Sequence, residues 1–193
     1  MKKNGPSTRP VVHSGTSALT HFRSLRRSPA YFVASFLLFY GAFFWTLTGS
    51  GPVRVVNQCI HIFTIGQTGF VARLLSSAGE HTKSLGTLLM GNRFSCDVDD
   101  GCNGMSAVTL LLAGLLSFPA SWRHRVFGAL ILVPAVFAVN TVRIGGLYLA
   151  GAYRPELFNM LHVYVGQVIV IVVTATLWGS WLIWSTNGKK QSS

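Results

Sequence analysis

VFGALILVPAVFAVNTVRIGGLYLA, residues 126–150, is apolar from end to end apart from Asn140, Thr141 and Arg143. It exceeds the roughly 20 residues a helix needs to cross the hydrocarbon core of a bilayer. Lipid offers no partner to a backbone N–H or C=O, so such a stretch is expected to be helical. Three further runs share its character: AYFVASFLLFYGAFFWTLT at 30–48, NGMSAVTLLLAGLLSFP at about 103–119, and LHVYVGQVIVIVVTATLWGSWLIW at 161–184. Half of the chain is hydrophobic and only 11% is charged, against roughly a quarter charged in soluble domains. The fold expected is an all-α membrane protein with about four transmembrane helices.

Charge sets the expected orientation. The net charge of +11 is unevenly spread. Residues 1–29 carry Lys2, Lys3, Arg9, Arg23, Arg26 and Arg27 with no acid; the connection 120–125 carries Arg123 and Arg125; the C-terminus carries Lys189 and Lys190. Every acid (Glu80, Asp97, Asp99, Asp100, Glu156) falls in the other two connections. This alternation follows the positive-inside rule for four spans with both termini cytoplasmic. The basic clusters therefore read as orientation signals with affinity for anionic lipid, not as a nucleic-acid surface. Residues 1–29, rich in Ser, Thr, Pro and Arg, read as a disordered basic tail, 30–186 as the membrane-embedded domain and 187–193 as a second cytoplasmic tail. The apolar run at 30–48 is too long for a signal-peptide core.

Two connecting segments have structure of their own. In 53–75, Arg54, Asn57, Gln58, His61, Thr64 and Thr68 share one helical stripe, and Val55, Val56, Ile60, Phe63, Phe70 and Leu74 share another. An interfacial helix is expected, because a full crossing would put Arg123 and Arg125 outside. Residues 85–98 suggest a small outer β-hairpin: Leu85–Met90, a Gly91-Asn92 turn, then a strand with Phe94, Cys96 and Val98 on one face.

With this topology, three chemical residues reach one side of the bilayer. Cys102 lies at the outer start of the 103–119 span, Arg143 near the outer end of 126–150, and His162 at the outer start of 161–184. A thiol, a guanidinium and an imidazole suit acyl transfer. Cys102 sits at a helix N-terminus, which favours a thiolate, although it is also placed to form a disulfide with Cys96. An arginine within an apolar span is costly and usually functional. Asn140, one turn earlier, is placed to orient it. His61 stays a second candidate imidazole; His124 lies on the opposite side, and His13 and His21 in the tail. Asp97, Asp99 and Asp100 lack the ligand alternation of a calcium loop, so no metal and no cofactor is expected. Trp45, Trp122, Trp178, Trp181 and Trp184 read as interface anchors. Gly145, Gly146 and Gly166 are expected where helices approach closely.

The order D-G-C-N-G-M near 99–105, F-P-A-S-W-R-H-R, N-T-V-R-I and Y-R-P-E-L-F-N-M-L-H resembles the exosortase/archaeosortase family, most of all its short exosortase H subtype, over roughly 85–184. The resemblance implies a polytopic inner-membrane cysteine protease and transpeptidase with its site facing the periplasm. Its expected partners are exported proteins ending in a short motif, an apolar helix and a basic tail, together with membrane lipid. The resemblance implies Cys102, Arg143 and His162 as catalytic residues and matches Asn140 to the arginine motif's asparagine; Asn103 and Gly104, in the G-C-N-G motif, are taken as supporting. Cys96 departs from the apolar strand residue expected there. The competing reading is a membrane thiol–disulfide oxidoreductase using Cys96 and Cys102. The sequence is silent on oligomeric state.

Overall fold

The computed structural model describes residues 28–48, 54–98 and 101–190. The expected basic tail up to residue 27, and Asp99 and Asp100, lie outside these. Among the described residues, six α-helices follow in order: α1 (Pro29–Thr48), α2 (Arg54–Ser77), α3 (Met105–Ser117), α4 (Trp122–Tyr153), α5 (Pro155–Met160) and α6 (Gly166–Lys190). A π-helical turn, Leu161–Val165, joins α5 to α6. Strands β1 (Thr82–Leu85), β2 (Leu88–Gly91) and β3 (Ser95–Asp97) form an antiparallel sheet between α2 and α3. The protein is an all-α multi-pass membrane protein with this small sheet at one end.

Among the described residues, three helical stretches are long and apolar enough to cross a bilayer: Pro29–Thr46, Trp122–Tyr153 and Pro155–Thr186. The run at 103–119 gives a shorter helix, α3, of 13 residues, about 20 Å at 1.5 Å per residue. Both of its ends have local causes. Gly104 adopts φ 81° before the first turn, and Phe118 turns extended at ψ 134° because Pro119 disfavours a helical residue before it. Pro155 likewise ends α4 through Arg154, at φ −143° and ψ 66°, and then opens α5, where its missing N–H costs nothing. The helix α6 runs to Lys190, so the C-terminal tail expected from 187 begins within it.

The hairpin expected at 85–98 is present as β2 and β3, with Leu89 opposite Cys96. A further strand, β1, joins it, and Thr82 pairs with Gly91. The tight turn between β1 and β2 uses Gly86 at φ 63°, a conformation glycine takes without steric cost. Leu85 and Leu88 therefore flank a turn inside what reads in sequence as one strand.

The middle of α2 turns polar groups inward and apolar ones outward, while its last turns bury Val71, Ala72 and Leu75. Thr64, Gln67 and Thr68 are buried, whereas Ile62, Phe63, Ile65, Phe70 and Leu74 are exposed. Its surface matches that of the long helices, where Leu38, Leu130 and Val142 are 70%, 66% and 75% exposed. Large apolar surfaces of this kind suit acyl chains, with the polar groups turned inward to find partners.

Two cores result. One joins Val71, Ala72 and Leu75 of α2, Leu89 and Val98 of the sheet region, Cys102, and Ile144 and Tyr148 of α4. The other joins Val108, Leu111 and Leu115 of α3 to Leu132 and Val136 of α4 and Val170 and Trp181 of α6. Trp181 is thus a core residue, 4% exposed, whose indole N–H donates to the His124 carbonyl at 3.0 Å. The interface-anchor reading does not hold for it: Gly128 leaves a gap in α4 that the indole fills.

Candidate active site

Cys102 and His162 meet where the first core reaches the start of α3. The Cys102 sulfur lies 3.6 Å from Nδ1 and 3.7 Å from Nε2 of His162. The near-equal distances single out neither nitrogen, so a modest ring rotation decides which one takes the thiol proton. Cys102 is 7% exposed, and His162 is half-buried.

The loop carrying the sulfur is gripped from two sides. The Asn140 side-chain amide donates to the Cys102 carbonyl at 2.7 Å. The Asn103 amide donates to Thr64 Oγ at 3.3 Å, and its carbonyl oxygen accepts the Met105 N–H at 3.0 Å. Asn103 and Asn140 are 1% and 0% exposed, and buried amides are costly without such partners. Gly104 allows this fit. A β-carbon there would come within 3.0 Å of Asn140 Cγ, and its φ is in the left-handed region. As their spacing suggests, Asn140 also meets Arg143: its Oδ1 accepts a long 3.5 Å bond from Nη1, while its shorter bond is the one to the cysteine loop.

Arg143 lies on the same turn of α4. Its Nη2 donates to the His162 carbonyl at 3.4 Å, so the guanidinium touches the segment that carries the imidazole. Its Nε is buried with no hydrogen-bond partner among the described residues. Of the three glycines expected at close approaches, only Gly166 serves one here: a β-carbon on it would lie 2.7 Å from Arg143 Nε and 2.8 Å from the Leu161 carbonyl oxygen. Gly146 meets nothing within 4 Å, and Gly145 only Val71 Cγ1 at 4.0 Å. An open, largely apolar groove of about 400 Å³ runs from Arg143 along Val139, Val142, Gly146, Leu161 and Ile169. The π-helical turn places His162 in a local widening of the helix, a feature frequent at functional sites.

The structure therefore brings Cys102, Arg143, His162, Asn140, Asn103 and Gly104 into one locality. It leaves other candidates out. His61 is exposed on α2, and the His124 ring, in the first turn of α4, bonds to Ser121 Oγ at 2.6 Å. Cys59, Cys96 and Cys102 are all outside disulfides. Burial, with the neighbouring Cys102 and Asp97 charges, pushes the Cys96 thiol up to about 11, which keeps it protonated and weakly nucleophilic near neutrality.

Sequence reasoning missed Thr64, Phe158 and the service Gly166 gives to Arg143. Thr64 was legible in principle: a polar stripe on a membrane-embedded helix should turn inward. Phe158 precedes His162 by one helical turn, the spacing at which side chains meet.

A cysteine therefore lies beside an imidazole, with an arginine and two buried amides around them, at one end of the helical bundle. The model of the family described as "Transmembrane exosortase (Exosortase_EpsH)" matches residues 62–179, and the chain belongs to this family. The match covers every residue of the site. No curated protein and no solved structure matches the chain.

Proposed function

We propose that the protein is a cysteine transpeptidase that removes the C-terminal sorting signal of exported membrane-tethered proteins. The observation that carries this reading is the 3.6 Å approach of the Cys102 sulfur to the His162 ring, within an exosortase-family chain. His162 takes the thiol proton and later delivers it to the leaving amine. The thiolate attacks the carbonyl of the scissile peptide and forms an acyl-enzyme. Arg143, its Nε unpartnered, supplies positive charge to the oxyanion in a partly dehydrated site. Asn140 and Asn103 fix the sulfur by holding the loop on either side of it. An amine or hydroxyl acceptor then resolves the thioester; water in its place gives hydrolysis.

The substrate's apolar helix enters laterally from the bilayer, which limits the orientational freedom lost on binding. The basic first turn of α4, with Arg123 and Arg125, faces the cytoplasm, and the site faces the periplasm of the inner membrane. The oxidoreductase alternative needs Cys96 as a nucleophile or resolving thiol, and its raised pKa disfavours that.

Co-expression with an exported protein carrying a motif, an apolar helix and a basic tail tests the reading. The wild type shortens the substrate; Cys102→Ala and His162→Ala insert normally and leave it full length. Arg143→Lys also fails to process, because an ammonium cannot reproduce the planar guanidinium. Normal processing by Cys102→Ala overturns the proposal.

A further inference from the structure

Phe158 is the one residue of α5 that is not exposed. Its ring stacks on the His162 ring, with centroids 5.5 Å apart and planes 14° from parallel. On its other side it meets Phe94, in the β2–β3 turn, at 5.0 Å and 59°. Phe94 is in turn held edge-on by Tyr148 at 6.2 Å, and it lies directly on the α4 backbone at Gly151, where any side chain would collide with it. Gly151, Phe94, Phe158 and His162 thus form a continuous series from α4, across the sheet turn, to the imidazole beside Cys102.

We infer that Phe158 is a positioning residue, which sets the plane of the His162 imidazole against the Cys102 sulfur by anchoring it to Phe94. The physical need is visible in the geometry. The sulfur favours neither ring nitrogen by more than 0.1 Å (3.6 against 3.7 Å), so the side-chain torsions alone leave the ring's presentation open. The backbone there is a π-helical turn, with i→i+5 bonds in place of the regular i→i+4 ladder. A parallel aromatic neighbour supplies the restraint, since stacked rings resist tilting but tolerate sliding in plane. The ring keeps its plane and stays able to turn one nitrogen toward the thiol. The charged groups at the start of α5 do not compete for the imidazole: Arg154, just before it, and Glu156 pair with each other at 3.7 Å, and their side chains are 73% and 59% exposed. The cation bonded to the segment is Arg143, through the His162 carbonyl.

This inference rests on the Cys102–His162 pairing proposed above, and the test separates the two. The measurement is the pH dependence of iodoacetamide alkylation of Cys102, read by peptide mass spectrometry on the purified full chain. Wild type, His162→Ala, Phe158→Leu and Phe158→Tyr are compared. The paired thiol of the wild type reacts well below pH 8, and His162→Ala moves its profile up toward that of a free cysteine. Phe158→Leu moves it the same way, with at least a threefold loss of rate at pH 7, while Phe158→Tyr, which keeps the ring, restores the wild-type profile. Thermal unfolding of each variant shows whether the fold is kept. If Phe158→Leu loses the fold, Phe94→Leu, which removes the anchor and leaves the His162 neighbour in place, is read instead for the same upward shift. A wild-type profile in a folded Phe158→Leu or Phe94→Leu, beside a shifted His162→Ala, overturns the positioning role alone. Identical profiles in wild type and His162→Ala overturn the pairing on which it rests.

Discussion

Glycines do opposite work at the two ends of the bundle. At the end that carries Cys102, Gly104 lets Asn140 reach the cysteine loop, and Gly166 lets the Arg143 side chain lie against α6. At the other end, Gly114 and Gly128 receive the indoles of Trp178 and Trp181, and a β-carbon on Gly114 would lie 2.7 Å from Trp178 Nε1. One pair admits polar groups into a site; the other admits large apolar rings into a core. Close approach in a membrane bundle is therefore not in itself a mark of function. What the glycine lets in decides.

This contrast can be broken by substitution, and the largest effect falls at Gly104. Gly104→Ala places a side chain at positive φ, costing about 1–2 kcal/mol, and drives it into Asn140. The expected outcome is loss of substrate processing in co-expressing cells together with a lowered melting temperature. Gly166→Ala is next. It displaces the guanidinium and presses on the Leu161 carbonyl of the π-turn, so processing falls on the order of a hundredfold while the apolar spans still insert, measured by band shift against expression level. Gly128→Ala tests the other end. Overpacking against Trp181 costs about 1–3 kcal/mol, seen as a lower melting temperature in detergent, while processing per folded molecule is unchanged. A loss of processing there equal to that of Gly166→Ala would erase the distinction.

The smallest effect concerns the two cysteines of the site end. The Cys96 thiol, raised to about 11, is protonated at neutral pH, and its reactivity grows only as pH climbs toward that value. Alkylation at pH 7.5 should therefore label exposed Cys59 and spare Cys96, and Cys96→Ser should process substrate at the wild-type rate. Loss of processing in Cys96→Ser would favour the redox reading instead.

Much of this architecture was written in the chain. The apolar runs gave the helices, since a bilayer leaves the backbone little choice, and the spacing of Cys102, Arg143 and His162 along them brought all three to one end. Two features were hidden for physical reasons. β1 escaped notice because Lys83, Ser84 and Leu85 are exposed, so no inward-facing alternation marks it. The aim of Asn140 depends on how α3 and α4 pack, and helical spacing alone pointed it to Arg143, its nearest neighbour on the same face. Thr64 shows a third case: the stripe on α2 was visible, but its burial depends on which solvent surrounds the helix.

The most direct test of the central claim is to look for the covalent intermediate. Substrate captured on the wild-type protein, resolved by denaturing electrophoresis and mass spectrometry, should be joined to the Cys102 peptide through a thioester that neutral hydroxylamine releases. Release of a shortened substrate with no adduct at Cys102, and with Cys102→Ala equally active, would contradict the account.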